Sequence, residues 1–189
     1  MITKNILGVF LILCLSACAG SVKNAKYRDS NMDFGSVQKV AVLPFANMTK
    51  DEKAAERVRD VYINMLMATG GLSLLPPGEV ARGISRAQLT DRTAPSEEEV
   101  KRLGGILGVD ALMTGMVREY GEVRSGSVSA NMVSLSLMMF DAKTGKIVWS
   151  ASSTKGGIST TDRLFGGGGK PMNIATEEAV VDLINKLYK

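Results

Sequence analysis

The chain has 189 residues, carries 23 lysines and arginines against 19 aspartates and glutamates, and is 45% apolar, which suits a single globular domain. It has no histidine, which excludes Ser-His-Asp and Cys-His catalysis and the usual zinc sites. The positive charges are scattered along the chain without forming a basic stripe, so nucleic-acid binding is not expected. No cofactor is expected either.

The first 18 residues have the order of an export signal. Lys4 is followed by an apolar run over residues 6–15, and then by Ser16, Ala17 and Cys18. The run is too short to cross a bilayer, which takes about 20 residues. Small residues before a cysteine resemble the lipobox of bacterial lipoproteins, which implies cleavage after residue 17 and acyl chains on Cys18. The alternative is an ordinary signal peptide with a free Cys18.

Residues 18–35 are predicted to form the lipidated cysteine and a flexible tether, because they are mostly small or polar and show no period. A flexible chain of this length spans about 25 Å. The periplasmic domain is then expected over residues 36–189. Since Cys14 lies in the signal and Cys18 is expected to be acylated, no cysteine is left for a disulfide, and packing alone must hold the domain.

The first half of the domain predicts a parallel β-α-β unit. Residues 37–45 indicate a buried strand that ends at Pro44. Thr49 and Glu52 have the spacing of a capping box, which predicts that a helix starts there and ends at Gly70-Gly71. A short strand follows over residues 72–75, and a right-handed crossover would make it parallel to the first.

The second half predicts two helices, an antiparallel meander and a closing helix. Helices are predicted over residues 79–87 and from a second capping box, Ser96 with Glu99, to Leu107. Strands are predicted over residues 111–120, 133–139 and 147–153, with a turn at 141–146. A glycine-rich loop over residues 154–171 precedes a helix over 173–187. The order β-α-β-α-α-β-β-β-α indicates an α/β (α+β) fold, in which helices pack on one mixed sheet.

Three stretches together carry a family resemblance, namely residues 40–45 (Val-Ala-Val-Leu-Pro-Phe), 108–115 (Gly-Val-Asp-Ala-Leu-Met-Thr-Gly) and 141–145 (Asp-Ala-Lys-Thr-Gly). With the lipobox, they resemble the curli-assembly CsgG-type lipoproteins. They also resemble relatives with the same periplasmic fold, the LpoB-type activators of penicillin-binding proteins and the TolB amino-terminal domain. The resemblance spans residues 37–187.

CsgG-type proteins build an outer-membrane pore from two long hairpins per subunit, and the resemblance would place these over residues 121–132 and 154–172. The first stretch is too short for two membrane-crossing strands, which need about 9–11 residues each, and it lacks an apolar face. The second contains four charged residues and little alternation. The chain is therefore predicted to keep the periplasmic core of that family without its pore.

Three motifs resemble chemical sites but favour a structural interpretation. The run before Lys170 fails the phosphate-loop pattern, because Leu164 and Pro171 occupy its first and last positions. Three consecutive glutamates at residues 97–99 suit a helix start better than a metal site. The 11 methionines raise the possibility of copper binding, but their spacing favours core filling.

The candidate partner-binding residues are Arg163, Leu164 and Phe165, in the glycine-rich loop. An aromatic side chain in such a loop either folds under the domain or contacts a partner. The expected function is that of an outer-membrane-anchored lipoprotein, held through the acyl chains on Cys18, whose non-catalytic domain binds an envelope protein through loops 121–131 and 155–171. The sequence leaves open self-association, a channel subunit as the alternative, and a periplasmic enzyme that uses Asp, Glu, Lys or Tyr.

Overall fold

The computed structural model of the chain describes residues 26–158 and 169–189. The predicted signal peptide, the predicted lipidation site Cys18 and the candidate binding residues Arg163, Leu164 and Phe165 lie outside the described residues.

The described chain contains seven strands and four α-helices. The strands are β1 (Lys26–Arg28), β2 (Lys39–Val42), β3 (Ala46–Asn47), β4 (Ser73–Leu74), β5 (Ala111–Ser125), β6 (Val128–Asp141) and β7 (Ile147–Gly156). The helices are α1 (Ala54–Ala68), α2 (Pro77–Ala87), α3 (Glu97–Leu107) and α4 (Met172–Tyr188), and a 3-10 turn covers Phe34–Ser36.

All seven strands join one mixed sheet in the order β1-β7-β6-β5-β2-β4, with β3 paired to β5. Strand β2 is parallel to both β4 and β5, whereas β5, β6 and β7 form an antiparallel meander. The predicted α/β class, the parallel unit and the meander are therefore confirmed. Two short strands were not predicted, β1 and β3, since two or three residues are too few to show a period.

Helices cover both faces of the sheet and define two cores. Helices α1 and α4 pack over the central and β7 strands, around the fully buried Trp149, Tyr62 and Leu66. Helices α2 and α3 cover the β2 and β5 part of the other face, around Leu43 and Leu103. Alternate residues of β5 enter different cores, Leu112 one and Met113 the other, because successive strand side chains point to opposite faces.

The second half of the predicted tether is part of the domain. Strand β1 pairs antiparallel with β7, placing Tyr27 opposite Ser150. The Arg28 guanidinium lies 3.7 Å from the centre of the Phe34 ring and donates a hydrogen bond of 2.8 Å to the Leu187 carbonyl oxygen. Met32 and Phe34 are partly buried against the core. The pairing with β7 and the bond to Leu187 join residues more than 100 positions apart, so no local pattern could show them.

One of the two predicted capping boxes is wrong. Helix α1 begins at Ala54 after Lys53, which makes no side-chain cap, and the Thr49 hydroxyl instead lies 2.8 Å from Asn47 Oδ1 within the preceding loop. The capping box of α3 is confirmed, because Ser96 accepts from the Glu99 amide and Glu99 accepts from the Ser96 amide at 2.9 Å. The spacing S/T-x-x-E is satisfied at both sites, and only the backbone conformation distinguishes them.

Candidate partner-binding surface

Strands β5 and β6 continue past their neighbours and form a projecting hairpin. Strand β7 ends at Gly156, opposite Met132, and β3 ends at Asn47, opposite Val117. Pairing of β5 with β6 continues to Ser125 and Val128, and Gly126 in the turn has φ +63°. At about 3.3 Å per residue, the two-stranded part extends roughly 13 Å beyond the end of β7.

The sequence predicted a loop over residues 121–131, which is wrong, because these residues are the paired ends of β5 and β6 and the turn between them. Most residues of this part of the hairpin are exposed or half-buried, and Ala130 is buried. A short alternation is present in the sequence, where Val128, Ala130 and Met132 are separated by Ser129 and Asn131, and it could have marked the start of β6.

The base of the hairpin is fixed to the domain on one side. The pairing register shifts between Val117 and Glu119, so that Arg118 forms a bulge, and the strand beyond it turns Tyr120 against the core. The Arg57 guanidinium of α1 lies 5.6 Å from the centre of the Tyr120 ring and forms an ion pair with Asp51. The hairpin thus leaves the domain in a defined direction.

The outer edge of β5 over residues 119–125 has no strand partner among the residues that the structure describes. Such an edge presents unpaired backbone donors and acceptors to which another chain can add a strand. Its side chains are charged, with Glu122 and Arg124 3.4 Å apart. The Ser129 hydroxyl and then Arg124 lower the pKa of Glu122, so the carboxylate is ionised at neutral pH. Charges at an edge limit indiscriminate pairing.

Two connections lie beside the hairpin at the same end of the molecule. In the β3–α1 loop, Met48 is 68% exposed. In the connection from β7 to α4, the Gly157 amide donates to the Asn131 carbonyl at 2.8 Å, and the Asn131 amide group donates to the Lys170 carbonyl at 3.0 Å. The hairpin therefore holds both described ends of the connection that contains Arg163, Leu164 and Phe165.

The structure brings together the two predicted contact regions, residues 121–131 and the described parts of 155–171, into one surface. We call it the hairpin surface and define it as residues 119–134 with 154–158 and 169–171. Within the described ranges, no group of three or more His, Cys, Asp or Glu side chains could hold a metal ion. No described helix has the length and apolar character needed to cross a membrane.

Sequence reasoning missed a cavity at the opposite end of the molecule. It has a volume of about 190 Å³ and is lined by Arg28, Phe34, Gly35, Val37, Leu72, Met139, Leu187 and Tyr188. Because β1 and the 3-10 turn form one wall, the cavity exists only when the segment before β2 is docked. No sequence signal could have found it, since its walls come from both ends of the chain.

Two solved structures share the mixed α/β fold of this chain with a TM-score above 0.5. The chain is similar to a PelC dodecamer from Paraburkholderia phytofirmans, with 16% identity, a TM-score of 0.55, and coverage of 87% of this chain and 95% of that chain. It is also similar to lipoprotein GNA1162 from Neisseria meningitidis, with 22% identity, a TM-score of 0.52, and coverage of 62% and 81%. The LpoB C-terminal domain from Salmonella enterica shares 17% identity over 67% and 86%, with a TM-score of 0.49.

The family follows from the sequence itself. The family model described as "Putative lipoprotein GNA1162-like" matches residues 27–186, so the chain belongs to the GNA1162-like family. The matched range begins within β1, in agreement with the docked position of that strand. The comparisons do not support the narrower expectation of a CsgG-type protein. No curated protein sequence matches this chain.

Proposed function

We propose that this protein is a lipid-anchored lipoprotein of the outer membrane whose periplasmic domain is a non-catalytic binding module for envelope proteins. The observation that carries the proposal is the coincidence of a lipobox ending at Cys18 with a match to a lipoprotein family over residues 27–186. Ala19 follows the cysteine; it is not the aspartate that, in enteric bacteria, retains lipoproteins in the inner membrane. The proposed role is therefore to bind envelope proteins through a domain that is tethered to the membrane.

The hairpin surface is the proposed contact for the partner. It projects from the domain, and its β5 edge has no strand partner within residues 26–158 and 169–189. Its base is fixed where the Arg57 guanidinium lies 5.6 Å from the centre of the Tyr120 ring. A hairpin that is held at its base and has an open edge can accept an extended segment of a partner protein as an additional strand. In this mode, backbone hydrogen bonds supply affinity and flanking side chains supply specificity.

The test is affinity capture from crosslinked envelopes with a shortened hairpin as the matched variant. Deleting residues 123, 124, 129 and 130 removes two opposed pairs, Val123 with Ala130 and Arg124 with Ser129. The turn is kept, and every remaining side chain stays on its own face, because the strand period is two. We expect the full chain to recover specific envelope proteins and the shortened chain to lose them.

Equal recovery by both chains would show that the hairpin is not the contact. Recovery of no envelope protein above background by the full chain would refute the binding function itself. A third variant, Met48→Ala, removes an exposed side chain from the neighbouring loop and serves as a control with the hairpin intact.

We further propose that the domain associates with copies of itself. The support is the likeness to PelC, whose solved structure is a dodecamer and which this chain matches over 95% of the PelC chain. Light scattering or native mass spectrometry of the purified protein tests this, and a single monomeric species at all concentrations would contradict it.

A channel subunit is the less favoured alternative. The paired hairpin reaches only from Gly121 to Ser125 beyond its neighbours, and each strand of a membrane barrel needs about 9–11 residues. Conductance across planar bilayers by the purified protein would revive this function.

A further inference from the structure

The cavity between the docked segment before β2 and the core has apolar walls and one charged lining residue. Its volume is about 190 Å³. Two of the lining residues, Val37 and Met139, are only 6% and 1% exposed, so the cavity reaches into the core. Of the residues that line it, Arg28 alone is charged. An apolar interior with one convergent polar group is the usual composition of a site for a small ligand.

Contacts from Phe34 and Leu187 hold the Arg28 guanidinium at the cavity wall. It lies 3.7 Å from the centre of the Phe34 ring, and one N–H donates to the Leu187 carbonyl oxygen at 2.8 Å. A guanidinium has five N–H donors, so this bond leaves others for a ligand. Arg28 is exposed, and an anion can therefore reach these donors from solvent.

The two acidic residues of the same segment are engaged in local turns. The Asp29 carboxylate accepts from the Asn31 amide at 2.8 Å, and the Asp33 carboxylate accepts from the Gly35 amide at 2.9 Å. Within residues 26–158 and 169–189, no carboxylate forms an ion pair with Arg28. The positive charge at the cavity is therefore not neutralised by the described chain.

The size and the charge of the site define the ligand. An apolar cavity of about 150 Å³ in another protein takes benzene, so a cavity of about 190 Å³ holds one ring and an attached carbon. A single guanidinium matches the charge of one carboxylate and can bind it through two parallel hydrogen bonds.

We propose that this cavity binds a carboxylate attached to a compact apolar group, with the carboxylate paired to Arg28 and the apolar group among Val37, Leu72 and Met139. Two sources share this chemistry, a free small acid and the carboxyl-terminal residue of a polypeptide. Because β1 and the 3-10 turn form one wall, a bound ligand also stabilises the docked position of this segment. The proposal does not depend on the hairpin contact proposed above.

Titration with phenylacetate and its neutral analogue phenylacetamide tests the site. Methyl resonances of Leu72, Met139 and Leu187 report binding by NMR, in the Cys18→Ser chain so that no detergent competes for the cavity. Methyl groups of Leu43 and Leu103, which belong to the other core, serve as the internal control. We expect phenylacetate to shift the first set only, and to bind at least about tenfold more tightly than the amide, because a hydrogen bond to a charged group is stronger than a neutral one.

Three variants assign the contributions of charge and space. Arg28→Gln keeps a donor but removes the charge, and is expected to bind acid and amide about equally. Arg86→Gln, at an exposed position of α2, is the matched control and should keep the preference for the acid. Leu72→Phe fills the cavity and should bind neither ligand.

The comparison of acid with amide on the parent protein decides the proposal without requiring any variant to fold. Absence of shifts at the lining methyl groups up to about 20 mM phenylacetate, well above the millimolar Kd of a weak ligand, would overturn it. Equal affinity for acid and amide would overturn it as well. An acetylated dipeptide ending in phenylalanine with a free carboxylate distinguishes the sources: tighter binding than phenylacetate indicates a polypeptide terminus, and weaker binding indicates a free acid.

Discussion

At the scale of single residues, Gly145 is a turn position for which the sequence suggests glycine and the packing requires it. It has φ +76° in the β6–β7 turn, and a Cβ there would lie 2.3 Å from the Glu97 carbonyl oxygen at the start of α3. The turn therefore fits against the helix only without a side chain.

We expect Gly145→Ala to lower the free energy of unfolding by at least about 2 kcal/mol, because the left-handed conformation costs about 1–2 kcal/mol and the backbone clash adds to it. Gly108→Ala is the control, since Gly108 has φ +61° with open space around its Cβ position; its cost should be about 1 kcal/mol. Urea denaturation of both variants measures the difference, and equal losses would show that the Glu97 contact is unimportant.

The hydrogen bonds of Glu99 indicate how the free energy of unfolding of the domain depends on pH. The carboxylate accepts from the Thr90 amide at 2.7 Å and from the Ser96 amide at 2.9 Å, and these bonds lower its pKa to about 2 from 4.5. The unfolded chain therefore binds the proton more readily, and the stabilisation is present above pH 4.5 and is lost as the pH falls towards 2.

Replacing Glu99 with Gln should remove that dependence. Between pH 5 and pH 2.5, the urea midpoint of the wild-type protein is expected to fall more steeply than that of the variant. Asp91 and Asp110 also contribute to the loss of stability in acid, because amide hydrogen bonds lower their pKa values. Glu99→Gln should be less stable at pH 6 and show a shallower acid loss. Identical slopes for the two proteins would contradict the assignment.

At the scale of elements, the tip of the β5–β6 hairpin is expected to contribute to binding and little to the stability of the domain. The pairs removed by the shortened variant lie beyond β7 and β3, and three of the four residues are at least partly exposed. Ala130 is the exception, because it is buried and lies close to Gly169. We therefore expect a loss of about 1–2 kcal/mol from deleting one buried contact, with cooperative unfolding retained in thermal melts. Loss of cooperativity would show that the hairpin belongs to the core.

At the scale of the whole molecule, the docked β1 leaves fewer residues between Cys18 and the domain than the predicted tether over residues 18–35. Only residues 19–25 separate Cys18 from Lys26, the first residue of β1. Eight residue steps reach at most about 28 Å, against about 60 Å for the 18 residues of the predicted tether. Under the proposed anchoring, the domain is held close to the bilayer surface.

Cys18→Ser should release a soluble, folded protein, because the acyl chains are the proposed attachment. Fractionation of cells and the circular dichroism of the released protein measure this. Firm retention of the variant in the membrane fraction would indicate a second membrane contact.

The sequence by itself determined the α/β class, the α3 capping box and the order of the long elements, because periodicity, caps and turns depend on about ten consecutive residues. Only the tertiary structure decided that β1 belongs to the sheet, that Thr49 is a loop residue, and that residues 121–132 are paired strands. Strand β1 depends on β7, which is distant in the chain, whereas Thr49 and the β5 and β6 tips have partners close in sequence, where one polar pattern fits more than one backbone conformation. The docked position of β1 therefore became visible only once the chain was folded.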